Sequence, residues 1–140
     1  MHQNDNCVFC KIVQRQLPAD KVHEDDLTMA FMDIKPANEG HTLVIAREHF
    51  ENLLDIDKTT LAAVAVTSRR IAIAIHKALQ PDGMRVSQFN GAAAGQSVFH
   101  YHLHIVPVHA GQQVGSHGRG PGNPEAIRQV AEKIRAALAS

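Results

Sequence analysis

Apolar and polar positions along the chain change period several times, and each change marks an element. In "CVFCKIVQRQL", residues 7–17, Val8, Ile12 and Val13 recur at helical spacing until Pro18 stops them. "KVHED" and "TMAFMDI" alternate instead, which predicts two strands joined around Asp25–Asp26, with Pro36 breaking the second. "GHTLVIA", residues 40–46, predicts a third strand. Asp57 is placed to cap a long helix reaching about Leu79, because Leu61, Val64, Ala65, Ser68, Ala72, Ile75 and Leu79 keep the 3.6-residue period. "QPDG" ends it, "MRVSQFN" (84–90) predicts a fourth strand, and "VFHYHLHIVPV" (98–108) a fifth. Residues 110–122 are glycine-rich and read as a mobile loop. Asn123 as cap and Pro124 at the first helical position open a last helix, lined by Ile127, Val130, Ile134 and Leu138. Five strands with helices before, between and after them predict an α+β fold. The short gaps between the first three favour an antiparallel meander; the pattern does not give the strand order.

Composition narrows the setting. A chain of 140 residues is expected to form one domain and can bury a core without disulfides. The formal net charge is zero, so no broad basic surface for nucleic acid is implied. No run approaches the ~20 apolar residues of a membrane span, and the first residues lack the apolar core of a secretion signal. A cytoplasmic protein with no nucleic-acid or membrane partner is expected.

Ten histidines are the compositional excess, and three of them alternate: His100, His102 and His104. With a strand period of two, these share one face and Tyr101, Leu103 and Ile105 the other, which is the core face. Three buried imidazoles would each need hydrogen-bond partners, so the histidine face is expected to open on solvent or a site. One possibility is a half-exposed strand that happens to carry histidine. A second is a zinc site that lowers the pKa of a bound water. A third is a neutral imidazole acting as nucleophile, its tautomer held by a backbone carbonyl. The preceding loop, "NGAAAGQSV", offers Asn90, Gln96 and Ser97, and Gly91 and Gly95 let backbone N–H groups approach an anion. No Walker lysine motif occurs. Cys7 and Cys10 form a lone C-x-x-C, open to redox and metal readings alike.

"GQSVFHYHLHIVP" resembles the signature of the histidine triad (HIT) family, H-φ-H-φ-H-φ-φ with φ apolar, and residues 7–109 are similar to its HINT-like and bacterial HIT branch. The resemblance implies a single HIT domain over 1–140: a mainly antiparallel five-stranded sheet with a long central helix and a C-terminal helix. It implies a nucleotide hydrolase or transferase acting at the α-phosphate of a purine nucleotide conjugate, such as an adenosine phosphoramidate or a dinucleoside polyphosphate. His102 would form a nucleotidyl-histidine and release AMP or GMP, with His104, His41 and Ser97 supporting the chemistry. Asn90, Gly95, Gln96 and Val98 would line the phosphate site and Asp33 would hold the ribose. Phe9, Ile12, Leu17, Phe31, Ile34 and Leu43 would wall a purine cleft. Cys7, Cys10, His49 and His100 would bind a closed structural Zn²⁺, and no catalytic metal would be required. A homodimer through the helix at 57–79 and the strand at 84–90 is also implied. The C-terminal segment departs from the animal HINT pattern: it lacks a Trp-Pro-Pro-Gly ending and adds a helix. That puts phosphoramidase specificity in doubt; His109, His117 and Arg119 within it either meet a leaving group or, the reading preferred here, are solvated loop residues. The competing functions are a zinc hydrolase with the triad as ligands and a nucleotide-binding regulatory protein with little turnover.

Overall fold

A computed structural model describes residues 1–115 and 117–140. One antiparallel sheet is built from β1 (Lys21–Glu24), β2 (Thr28–Met32), β3 (Thr42–Ala46), β4 (Gly83–Ser87) and β5 (His102–Val108). The spatial order is β1-β2-β3-β5-β4, so the meander of the first three strands is followed by a crossover that inserts β5 between β3 and β4. The crossover contains the long helix α2 (Lys58–Leu79), capped by Asp57, whose side chain accepts from the Thr60 N–H at 2.7 Å. The short α1 (Val8–Val13) precedes the sheet. The last helix, α3 (Pro124–Ala139), starts where Asn123 accepts from the Ala126 N–H at 3.0 Å. No helix among the described residues is long and apolar enough to cross a membrane.

β2 and β3 are buried on both faces, so each alternates between two cores. Ala30, Met32, Val44 and Ala46 face α2 and α3, where they meet Val64, Ile71, Ile75, Val130 and Ile134. Met29, Phe31, Leu43 and Ile45 face α1 and pack on Phe9, Ile12 and Val13. The register transfers this alternation to β5. His102 stands opposite Ile45 and His104 opposite Leu43, on the α1 face. Ile105 and Leu103 join the α2 core together with Tyr101, as the period of two requires.

Three boundaries differ from the pattern. α1 stops at Val13 rather than near Leu17, because Gln14 caps it and Arg15 turns into the left-handed region at φ 63°. β4 ends at Ser87, and the chain then makes a single 3₁₀ turn at Ala92–Ala94. β5 begins at His102 rather than Val98. Upstream of it, Tyr101 N–H is taken by the Phe50 carbonyl at 2.7 Å and the His100 ring by the Ala46 carbonyl at 2.6 Å, which draw the chain out of the sheet. His100 thus precedes the strand, but its ring stays on the α1 side with that of His102, both packing on Phe9.

Candidate active site and metal centre

His100, His102 and His104 are all buried, at 0, 7 and 4 % exposure, so each needs a polar partner, and each has one. The partners also assign the protons. His102 Nδ1–H donates to the His100 carbonyl at 2.6 Å, which leaves the Nε2 lone pair free. The expected carbonyl is thus supplied by the first histidine of the motif. Phe9 packs edge-on against the His102 ring, with centroids 5.1 Å apart. His41, 1 % exposed, accepts from the Ala37 N–H at Nδ1 (2.9 Å), so its Nε2 carries the proton. That Nε2 lies 3.0 Å from His104 Nδ1 and 3.6 Å from an Asp33 oxygen. His104 accepts at Nδ1 and keeps its proton on Nε2. The relay runs Ala37 N–H to His41 to His104 and leaves one N–H donor beside the free lone pair of His102.

Burial keeps these rings neutral. It pushes His104 down to about 3, with the neighbouring His102, His41 and His117 adding to the effect. It also holds His41 below the ordinary imidazole range, against the opposing pull of Asp33. In the unfolded chain both regain an ordinary pKa near 6.5, so below that pH the unfolded state binds more protons. Stability should therefore fall as pH drops from about 6.5 towards 3. Urea unfolding at pH 7.5, 6 and 5 checks this: the midpoint should move steadily down, and a flat profile would contradict neutral burial.

The second cluster is distinct. Cys7, Cys10, His49 and His100 bring four donor atoms within 4.8 Å of one another. His100 Nε2–H is committed to the Ala46 carbonyl, so its Nδ1 lone pair faces Cys7 Sγ at 3.3 Å, Cys10 Sγ at 3.5 Å and His49 Nδ1 at 3.2 Å. Cys10 Sγ stands 3.3 Å from His49 Nδ1. Tetrahedral zinc with Zn–N near 2.0–2.1 Å and Zn–S near 2.3 Å sets its donors about 3.3–3.8 Å apart, so the residues fit the ion. Backbone N–H groups already point at both sulfurs, Asn4 to Cys10 and Cys10 to Cys7, each at 3.4 Å. Without a cation Cys10 and His100 are held neutral: burial pushes the Cys10 thiol up to about 11 and His100 down to about 4. A bound cation reverses that preference.

The remaining expected residues separate into groups. Phe31 and Leu43 are buried beside Phe9 under α1. Ile12 and Leu17 help wall a cavity of about 410 Å³ at the far end of α1. Ile34 is 67 % exposed. The Asp33 carboxylate accepts from Lys35 N–H at 2.8 Å. Asn90 and Gln96 brace the loop: Asn90 Oδ1 accepts from Leu53 N–H at 2.8 Å, and Gln96 bonds Gly91 N–H and the Glu51 carbonyl at 2.8 and 2.7 Å. These bonds tie the loop to the segment at Glu51 and Leu53. Gly95 adopts φ 105°, closing the 3₁₀ turn. Ser97 and Val98 line a cavity of about 610 Å³ that reaches Cys7 and His49. Two further side chains neighbour the triad: Phe89, which the sequence did not mark, and His117, which it offered only as an alternative to a solvated loop residue. Phe89 lies 5.3 Å from His104, and His117 lies 5.9 Å from it and 5.3 Å from Phe89. Phe89 gave no signal beyond an apolar strand end. His109 sits elsewhere, 4.0 Å from Asp82.

The HIT domain family model matches residues 14–111. The crystal structure of a Hit-like protein from Bartonella henselae superposes with a TM-score of 0.90 at 42% identity, covering 98% of this chain and 99% of that one. A Zn-bound histidine triad family protein from Mycobacterium smegmatis superposes at 0.86 with 38% identity, covering 96% and 94%. The adenylylsulfatase HINT3 of Arabidopsis thaliana is 41% identical over 75% of this chain and 53% of its own length. With the motif, the strand order and the two clusters already described, these likenesses lead to one conclusion: the chain belongs to the HIT family.

Proposed function

We propose that this chain is a cytoplasmic hydrolase of purine nucleotide conjugates that works through a covalent intermediate on His102. The observation that carries the reading is the proton assignment: one free Nε2 lone pair on His102 beside one N–H donor on His104. In the first step His102 Nε2 forms a bond to the α-phosphorus, and the bond to the leaving group breaks with its electron pair. His104 Nε2–H donates to a phosphate oxygen or to the leaving atom. In the second step water attacks the phosphorus, the P–N bond breaks, and the nucleoside monophosphate leaves. Asp33 serves the ribose and Phe9, Phe31 and Leu43 the base. The adenylylsulfatase activity named for the Arabidopsis relative supports an adenylate as substrate. Quenching turnover in base, where a phosphoramidate survives, and mapping the adduct should place one nucleotidyl group on His102. An adduct elsewhere would overturn the reading, as would none with a substrate that turns over.

Asp33, His41 and His104 also bring three donors within 4.8 Å, the arrangement a catalytic metal would want. The Ala37 N–H argues against it. It occupies His41 Nδ1 and leaves Nε2 protonated, a donor rather than a ligand. Cys7, Cys10, His49 and His100 are instead the proposed structural zinc ligands, and the Zn-bound relative supports this. Zinc there supplies cross-linking and charge balance; with four protein ligands it has no open position for reactive water.

A homodimer belongs to the same proposal. β4 is an edge strand, and Val86 on it is 55 % exposed. Val86 stands opposite Ile105 and so points to the α2 face, where Val66 and Ile73 are 68 and 47 % exposed. An exposed apolar edge of this kind is normally covered. Val86→Asp should convert a dimer to a monomer in sedimentation velocity; an unchanged dimer would place the interface elsewhere.

A further inference from the structure

The two cysteines of the metal-ligand cluster are not equally placed. Cys10 is fully buried, whereas Cys7 keeps 9 % of its surface. Cys7 and His49 lie on the wall of the cavity of about 610 Å³, and of the two cysteines Cys7 is the one that lines it. Asn4, Asn6, Glu51 and Asp55 make much of the remaining wall polar, so water and small polar solutes can enter. The segment before α1 that bounds this space is fastened to the turn after β3. His49 N–H donates to the His2 carbonyl at 2.8 Å, and Gln3 Nε2 donates to the Arg47 carbonyl at 2.9 Å.

Cys7 is the N-cap of α1 and Cys10 follows within the first turn, with the two sulfurs within 4.8 Å of each other. Cys10 N–H donates to Cys7 Sγ at 3.4 Å, which favours a negative sulfur there. With a cation bound in the cluster both thiols are deprotonated, the form that attacks a peroxide. An accessible sulfur therefore has a second, enclosed sulfur beside it. A bond between them closes a very short loop and adds little stability, so thiols can reopen it.

We propose that Cys7 is a modification site for hydroperoxides, with Cys10 as the resolving thiol and release of the cluster's cation as the result. The release rests on the proposed structural zinc. In the first step the Cys7 sulfur bonds to a peroxide oxygen, the O–O bond breaks with its electron pair on the departing oxygen, and Cys7 becomes a sulfenic acid. In the second step the Cys10 sulfur attacks that sulfur, the S–S bond forms, and the S–O bond breaks to release hydroxide. Each departing oxygen anion takes a proton from solvent. The two sulfurs together give up two electrons and one peroxide is reduced. A disulfide removes both thiolates from the ligand set, and His49 and His100 alone do not complete a tetrahedral site. His100 also supplies the carbonyl that fixes the His102 tautomer, so oxidation reaches the triad through one residue.

The test treats the full chain, as purified, with hydrogen peroxide in the presence of a chromophoric zinc indicator, with and without dimedone. Both thiols and the zinc should be lost together, and peptide mapping should join Cys7 to Cys10. Dimedone should be found on Cys7 alone. Dithiothreitol with added zinc should restore thiols and metal. Asn6→Trp adds bulk to the cavity wall; it should keep the zinc and the Tm but slow oxidation by cumene hydroperoxide about threefold or more. Dimedone on Cys10, thiols that survive excess peroxide, or an unchanged rate in Asn6→Trp would each overturn the assignment. Protein that is metal-free as purified would remove the zinc reading, while a Cys7–Cys10 bond formed in it would still support the oxidation site. Turnover of an adenosine phosphoramidate should fall in step with zinc loss, and unchanged turnover would overturn the link to His102. Protein inert on the phosphoramidate before oxidation would end the hydrolase reading alone, since thiols and zinc are counted without it.

Discussion

His102→Ala should lower kcat/KM on an adenosine phosphoramidate by on the order of 10⁴-fold while AMP still binds. The size of the effect follows from what Nε2 does. It is the lone pair left free once Nδ1–H is given to the His100 carbonyl, on a ring whose centroid lies 4.8 Å from that of His104. Alanine removes the attacking atom and also opens space beside Phe9, which packs on the His102 ring. Loss of rate alone would therefore be ambiguous. Thermal unfolding and AMP affinity of His102→Ala, with His102→Asn as a variant closer in volume, separate chemistry from packing. Both variants should fold and bind AMP, and neither should form the base-stable adduct. Turnover within about tenfold of wild type would end the case for a covalent His102.

Cys10→Ser should remove one bound zinc per chain and lower Tm by about 10 °C or more. The reason is local. Cys10 is fully buried, and the four donor atoms come from three segments that no disulfide joins: α1 with its N-cap, the turn after β3 and the bend before β5. Without the ion, two neutral ring nitrogens of His49 and His100 face each other at 3.2 Å with two sulfurs beside them. Zinc content by mass spectrometry and calorimetric melting, each before and after chelation of the wild-type protein, give the direct comparison. Wild-type protein that is metal-free as purified, or that melts unchanged after chelation, would refute a structural zinc. Catalysis should drop with the metal, because His100 holds both ends of the argument: its Nδ1 faces the thiols while its carbonyl fixes the His102 tautomer.

Periodic elements were legible in the sequence and tertiary departures from them were not. α2 and α3 follow from the 3.6-residue stripe and their Asp57 and Asn123 caps, and β3 from its apolar run. The alternation of "VFHYHLH" continues upstream of His102, so the pattern alone extends β5 too far; hydrogen bonds to Phe50 and Ala46, distant in sequence, end it. The core role of Tyr101, Leu103 and Ile105 was readable, since period fixes face. That the opposite face would be covered by α1 was not, because nothing local sets where a six-residue helix docks. The gathering of Cys7, Cys10, His49 and His100 came from the motif resemblance, not from spacing. Asn90 and Gln96 were readable as polar residues of the loop; that their amides also fasten it to Leu53 and Glu51, some forty residues away in the chain, was not. His117 was readable only as an open choice between a leaving-group contact and a solvated loop residue, since a histidine among glycines has no periodicity to place it; the bonds from Arg85 to the Val114 and Gly115 carbonyls and from Gly122 to Ile34 follow no pattern in the sequence.

Cys7 and His100 lie 93 residues apart in the chain and 3.3 Å apart in space. An ion between them would close a loop around the whole sheet meander and α2, and closing so long a loop restricts the unfolded chain strongly. The two cores share no residue: one is held by α2 and α3, the other by α1 and the cysteines. Opening of the molecule is therefore expected to be graded. The α1 layer, short and fastened through this one junction, should exchange its amides ahead of the α2–α3 layer, and the base wall would come apart with it. The protein would then lose its ligand before it loses its fold.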